Sequence, residues 1–278
     1  MQRTWFITGT STGFGRLMTE QLLARGDRVA ATLRNPAVLA GLRETYPGQL
    51  WIAQLDVTDD ESIRAVTARA FAELGRIDVV VSNAAYGLFG AAEEVSDEQI
   101  RRQIDTNLLG SIGLIRAVLP HLRRQGGGRV IQVSSEGGQI AYPNFSIYHA
   151  TKWGIEGFVE AVAQETAPFG IAFTLAEPGA TPTNFGQGLD FAPALEDYAD
   201  TPAGAVRRAI ADGSFELRGD AQKMVEIMIA SADTTPAPRR IALGVHAYDA
   251  IRAALTARIA ELNAQKETAY AADREGRG

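Results

Sequence analysis

Thr8-Gly9-Thr10-Ser11-Thr12-Gly13-Phe14-Gly15 is the stretch on which the fold turns. A run of strand length and composition, Thr4–Thr8, leads into it, and a helical pattern, Gly15–Arg25, opens at its last glycine. Glycines have three uses in such a turn: unusual backbone angles, close approach of the backbone to a diphosphate, and close packing of helix on strand. Free N–H groups and the positive dipole end at the start of the helix can then hold phosphate oxygens. An ordinary Gly/Ser turn would share the composition but not the strand–turn–helix context. Gly9, Ser11, Thr12, Gly13, Phe14 and Gly15 are therefore the first candidate residues for binding a dinucleotide.

Outward from this turn, apolar runs of strand length alternate with segments of helical period. The strands expected are Thr4–Thr8, Arg28–Leu33, Leu50–Leu55, Asp78–Ser82, Arg129–Val133, Ile171–Ala176 and Arg240–Leu243; the helices are Gly15–Arg25, Glu61–Leu74, Glu98–Arg124, Tyr148–Phe169, Asp220–Ser231 and Ala247–Leu262. Several strands are apolar almost throughout, as parallel strands covered on both faces are. The alternation predicts an α/β fold: a Rossmann-type, doubly wound parallel sheet of about seven strands with helices on both faces. Gly26, Gly75 and Gly126 mark helix ends, and Asp97 is placed as the N-cap of the helix carrying Asn107. No linker interrupts the chain, so residues 1–278 are expected to form one domain. The segment 179–219, with Pro182, Pro193 and Pro202, reads as a long irregular loop that closes over a substrate. Residues 263–278 read as a flexible polar tail.

Composition narrows the function. Hydrophobic residues make up 46% and charged residues 22%, and the net charge of −6 offers no basic field for nucleic acid or an anionic membrane. Cysteine is absent, which removes thiolate chemistry and Cys-based metal sites. His121, His149 and His246 lack metal-ligand spacing, so no metal site is expected. No run is long enough to span a membrane, and the expected location is the cytoplasm.

A dinucleotide site should show its ribose selector about 20 residues beyond the glycines. There the sequence reads Ala30-Ala31-Thr32-Leu33-Arg34-Asn35-Pro36, with no acid between Arg28 and Gly41. An acid at that point holds a 2′-hydroxyl, whereas an arginine suits a 2′-phosphate. Arg34 thus points to NADP(H) in preference to NAD(H). Further on, Val133-Ser134-Ser135 ends a strand, Tyr148 follows thirteen residues after Ser135, and Lys152 lies four beyond Tyr148, on the same helix face. A cation beside a phenol favours its anion, and a phenol so tuned can pass a proton to or from a substrate oxygen. Ser135 could hydrogen-bond that oxygen.

These motifs, in this order, resemble the short-chain dehydrogenase/reductase family over roughly residues 4–185. Thr8–Gly15 is similar to its Thr-Gly-x-x-x-Gly-x-Gly turn, Asp56-Val57 to its adenine-contacting dipeptide, and Ser82-Asn83-Ala84-Ala85 to its Asn-Asn-Ala-Gly motif. Asn107, Ser135, Tyr148 and Lys152 match the catalytic tetrad, and Pro178-Gly179-Ala180-Thr181-Pro182-Thr183 resembles the segment that meets the nicotinamide. The resemblance implies Tyr148 as acid or base, Lys152 on the nicotinamide ribose, Ser135 on the substrate carbonyl, Asn107 on a water linking Lys152 to solvent, and Thr183 on the carboxamide. It also implies a homodimer or homotetramer. Ser82 and Ala85 depart from the family pattern. Tyr142, Phe145 and Phe185 are candidates for lining a pocket for an apolar carbonyl or alcohol, and Glu136 either faces solvent or tunes substrate choice. His149 is expected to turn away from the reacting groups. Two alternatives stay open: an NADPH sensor without turnover, and an epimerase or dehydratase of the same fold.

Overall fold

A computed structural model describes residues 2–273 of the chain. Its strands are β1 (Thr4–Thr8), β2 (Arg28–Leu33), β3 (Leu50–Gln54), β4 (Val79–Ser82), β5 (Leu88–Phe89), β6 (Gly128–Val133), β7 (Ile171–Pro178), β8 (Asp190–Phe191) and β9 (Arg240–Leu243). Seven form one parallel sheet in the order β3-β2-β1-β4-β6-β7-β9. The helices are α1 (Gly13–Ala24), α2 (Ala40–Thr45), α3 (Asp60–Leu74), α4 (Asp97–Ile104), α5 (Gly110–Arg124), α6 (Ser146–Thr166), α7 (Asn184–Gln187), α8 (Pro202–Ala211), α9 (Ala221–Ser231), α10 (Val245–Ala264) and α11 (Lys266–Ala271).

Strand β1 shows why the sheet is apolar on both sides. Trp5 and Ile7 pack with Met18 and Leu22 of α1 and Val225 and Met228 of α9. Phe6, pointing the other way, packs with Ile63 of α3, Leu114 and Val118 of α5, and Ile155 and Val159 of α6. Strand order reverses between β1 and β4, so their C-terminal ends diverge and leave the crevice in which such folds bind ligands. Among the described residues no helix is long and apolar enough to cross a membrane.

The expected strands are all found, with ends shifted by at most two residues. Other features differ. The N-cap of α4 is Ser96, not Asp97: Ser96 Oγ accepts from Gln99 N at 3.2 Å and Gln99 Oε1 accepts from Ser96 N at 3.1 Å, a reciprocal box that satisfies two otherwise orphaned donors. The single helix expected over Glu98–Arg124 is interrupted by a π-turn, Asp105–Leu109. A 3₁₀ turn (Pro36–Leu39) and α2 lie where no helix was expected. The segment 179–219 is not one irregular loop. It carries α7, a short parallel pairing of β8 with β5, and the ten-residue helix α8, opened by a Thr201 cap and Pro202. At the C-terminus, helix persists through α11 where a flexible tail was expected; residues 274–278 lie outside the described residues. On α10, Ile251 is buried while Leu255, Ile259 and Leu262 are exposed.

Candidate active site

The glycine turn is built by close approach. Gly9 has φ +71°, and a Cβ there would lie 2.9 Å from Ala84 Cα. A Cβ on Gly15 would lie 2.4 Å from the Gly9 carbonyl oxygen and 2.6 Å from Asn83 Nδ2. Only glycine lets α1 start this close to the β1 turn. The Asn83 side chain donates to the carbonyls of Thr8 and Gly9 at 2.9 and 3.2 Å, and Thr8 Oγ1 accepts from the N–H groups of Asn83 and Ala84 at 3.0 and 3.1 Å. The Asn83 amide is thus committed to bracing the turn. Thr12 precedes α1 without capping it and no acid lies in the first turn, so the first N–H groups of the helix, at Gly13 and Phe14, are left without a side-chain partner.

At the neighbouring strand ends, Arg34 is exposed and makes no side-chain hydrogen bond or ion pair among the described residues. Asp56 accepts from Thr58 N and Oγ1 at 3.0 and 2.8 Å. The Thr58 amide holds its carboxyl below the ordinary value against some burial, and the Arg34 charge adds to the lowering. Val57 packs against Gly110 at the start of α5.

Strand β6 and helix α6 bring the third group together. Tyr148 and Lys152 are buried on successive turns of α6, with Lys152 Nζ 5.5 Å from the Tyr148 ring centre and 3.1 Å from the Val133 carbonyl. Burial pushes the Tyr148 phenol up to about 12; the Ser135 hydroxyl facing it favours the anion, and Glu136 disfavours it. Lys152 is pushed down to about 8 by burial, with Glu156 acting in the opposite sense. Desolvation is the largest influence on the phenol, which is raised where a neighbouring cation alone would lower it. Asn107, inside the π-turn, spends its side chain on the Tyr86 backbone, accepting from the N–H at 3.1 Å and donating to the carbonyl at 2.8 Å. Its amide is thereby tied to the backbone of Tyr86. Thr183 caps α7 by accepting from Phe185 N at 3.2 Å, and Thr181 donates to the Gly179 carbonyl at 2.8 Å.

The glycine turn, Asn107 and the Ser135–Tyr148–Lys152 group thus converge at the C-terminal end of one sheet. The family model for short chain dehydrogenase matches residues 3–191. The chain belongs to this family. Oxidoreductase BOA17 of Botryotinia fuckeliana is 34% identical over 250 residues, covering 90% of this chain and 91% of that protein. The 3-ketodihydrosphingosine reductase of Bacteroides thetaiotaomicron is 35% identical over 198 residues, 70% of this chain and 71% of the relative. The crystal structure of a short-chain dehydrogenase from Streptomyces avermitilis superposes with a TM-score of 0.91 at 37% identity, covering 99% of this chain and 100% of that one.

Around the phenol, this short-chain dehydrogenase is aromatic. Phe185 stands edge-on to Tyr148 at 5.6 Å, Phe145 at 6.0 Å, and Tyr142 meets Phe145 at 5.3 Å. Phe89, Leu189, Val206 and Ile210 complete the wall; they lie far apart in sequence, so spacing gave no hint of them. Phe145 is buried, whereas Phe185 is exposed on α7 with its ring against Gly87. His149 accepts from Tyr142 N through Nε2 at 3.2 Å and donates from Nδ1 to the Gly137 carbonyl at 2.8 Å, so both ring nitrogens are engaged by the backbone in the neutral form. Glu136 does not face solvent. It is 2% exposed, accepts from His246 Nδ1 at 3.2 Å and sits under Gly179. Burial raises its pKa and His246 partly opposes this. Glu156 lies one turn past Lys152, at an i+4 spacing visible in the sequence.

Proposed function

We propose that this chain is an NADPH-dependent oxidoreductase that interconverts a ketone or aldehyde with an alcohol, Tyr148 acting as general acid in reduction and as general base in oxidation. The observation that carries this reading is the buried phenol of Tyr148, faced by the Ser135 hydroxyl, with the Lys152 ammonium beside its ring and an apolar wall around it. A phenol pushed up to about 12 is protonated at neutral pH and ready to give its proton to a carbonyl oxygen as negative charge grows there. The Ser135 hydroxyl, already beside the phenol, orients the same oxygen. The relative described as a 3-ketodihydrosphingosine reductase is by its name a keto reductase, which agrees with this direction.

The residues present fit a dinucleotide. Gly9 and Gly15 let the start of α1 pack against the β1 turn where a Cβ would collide, and that uncapped start is free of acids. Gly9, Ser11, Thr12, Gly13, Phe14 and Gly15 would hold the diphosphate, Arg34 the 2′-phosphate, and Asp56 and Val57 the adenine. Ala84, Ala85, Pro178, Gly179, Thr181 and Thr183 would line the nicotinamide end, and Lys152 would hold its ribose. NADPH, when bound, supplies the hydride. The segment 179–219 serves as the substrate-binding lid, with Phe185 closing on Tyr148. Its aromatic and aliphatic lining suits an apolar substrate. By family likeness the protein acts as a homodimer or homotetramer.

The test is consumption of NADPH and NADH against a panel of ketones and aldehydes, with Tyr148→Phe as control. Turnover with NADPH, reduced about 10²- to 10⁴-fold by the substitution while NADPH still binds, is expected. Binding of NADPH without turnover of any carbonyl would favour a sensor, and binding of neither cofactor would refute the reading.

A further inference from the structure

The column of side chains that carries Tyr148 and Lys152 does not stop there. Glu156 and Glu160 follow at the same four-residue interval on α6, so the four side chains run in one line from the crevice to the surface. Glu156 is 2% exposed. Its carboxylate accepts from the Ser134 hydroxyl at 2.5 Å and also from the Gln139 amide and the Arg240 guanidinium. Arg240, on β9, donates as well to Glu177 of β7 at 2.5 Å and to Glu160 at 2.5 and 3.1 Å. One guanidinium thus gathers three carboxylates, two of them buried, between α6 and the end of the sheet.

Lys152 is placed very differently. Among the described residues its ammonium has one hydrogen-bond partner, the Val133 carbonyl, and no carboxylate within 4.0 Å. A buried ammonium so placed tends to shed its proton. The charges facing this region are Glu156 and Glu160 from α6, Glu177 from β7 and Arg240 from β9, with the neutral donors Ser134 and Gln139. Of these, Glu156 is the group whose charge raises the lysine. Consecutive residues of β6 fix the two: Val133 holds Lys152 and Ser134 holds Glu156. A lysine one turn N-terminal to a glutamate is also the less favourable order for direct pairing. The clamp spends the carboxylate's lone pairs elsewhere and keeps the ammonium free for the crevice.

We propose that Glu156 is a positioning residue of this active site: its carboxylate, clamped by Ser134, Gln139 and Arg240, keeps the Lys152 ammonium charged and directed past the Tyr148 ring. The proposal rests on the reading of Tyr148 and Lys152 as the reacting pair given above.

The chain contains only three lysines, Lys152, Lys223 and Lys266. A protein labelled with ¹³C at lysine Cε therefore gives a titration that can be followed for each. In Glu156→Gln the midpoint of the Lys152 signal is expected to fall by about one pH unit or more, a roughly tenfold loss of the charged form at a fixed pH near the midpoint. The exposed Lys223 and Lys266 stay unmoved and serve as internal controls. An unmoved Lys152 midpoint in a folded Glu156→Gln protein overturns the proposal. Should that variant not fold, Glu156→Asp, which draws the charge back by one carbon, is expected to give a smaller fall, and no fall there overturns it equally. In kinetics, Glu156→Gln should bring the alkaline loss of kcat/KM to lower pH by the same interval; a uniform loss at every pH would mark a merely structural role. The titration needs no turnover. A shifted midpoint in a protein that reduces no carbonyl would sustain the electrostatic role of Glu156 and sink the functional reading, while an unmoved midpoint in an active enzyme would do the reverse.

Discussion

Gly15→Ala tests the geometry of the binding turn most directly, because the structure says what the added methyl meets. At an unconstrained helical position the change would stabilise the chain by up to about 1 kcal/mol, since alanine loses less freedom on folding. Here the new carbon would lie 2.4 Å from the Gly9 carbonyl oxygen, 3.0 Å from its carbon and 2.6 Å from Asn83 Nδ2. Ordinary contacts begin near 3.4 Å, so the turn must open by about 1 Å. Two of the three obstacles are backbone, which cannot rotate aside, so the overpacking cost falls at the upper end of the usual range of about 1–3 kcal/mol. The net loss is then about 2 kcal/mol, or roughly 4–8 °C in melting temperature for a chain of this size. Gly13→Ala is the contrast. Its Cβ meets nothing within 4 Å, and only the positive φ of +57° opposes it, a cost of about 1–2 kcal/mol. Opening the turn also pulls Asn83 off the Thr8 and Gly9 carbonyls, so Gly15→Ala should weaken NADPH at least about tenfold, whereas Gly13→Ala leaves the strand–helix contact intact. Denaturant titration and cofactor fluorescence measure the two effects. A Gly15→Ala protein as stable as the parent, binding NADPH equally well, would refute the close-approach argument.

Two further outcomes follow from the charges. Arg34 is exposed with no competing partner among the described residues, so Arg34→Ala should lose a charge-assisted contact of about 1.5–3 kcal/mol. NADPH affinity then falls roughly ten- to a hundredfold and NADH affinity is unchanged; equal losses for both cofactors would show that Arg34 does not read the 2′-phosphate. Glu177 is pushed up to about 7 by burial, with the charge of Glu156 adding to the effect. Between the ordinary carboxylate range and that value the folded chain keeps a proton that the unfolded chain has released, so this group's contribution to stability is lost as pH rises through the window. Glu177→Gln should therefore flatten the fall in melting temperature between pH 5 and pH 8, and identical slopes in parent and variant would contradict the assignment.

What was legible in the sequence is what is local. The strand–turn–helix at Thr8–Gly15 and the Tyr148–Lys152 interval depend on neighbours along the chain, and the structure brings their residues together as spacing alone required. The π-turn at Asn107 was hidden because it changes helical register without changing composition; the contact that holds it, to the Tyr86 backbone, crosses 21 positions. The Arg240 cluster joins residues 63 and 84 positions apart and has no periodicity to betray it. Strands β5 and β8 are two residues each, too short for any pattern.

The Tyr148 phenol shows the deeper reason. Spacing fixes how far an ammonium is from a phenol, and from distance alone the cation should lower the phenol's pKa. It does not fix the dielectric between them, which depends on Phe145, Phe185 and the rest of a wall assembled from remote parts of the chain. Burial acts on both partners at once, raising the phenol to about 12 and lowering the lysine to about 8, so each is moved toward its neutral form. Tyr148 so raised keeps its proton at neutral pH, and Glu156 acts on the lysine against burial. On the proposed reading, a phenol held in its protonated form is the acid that a carbonyl oxygen would meet.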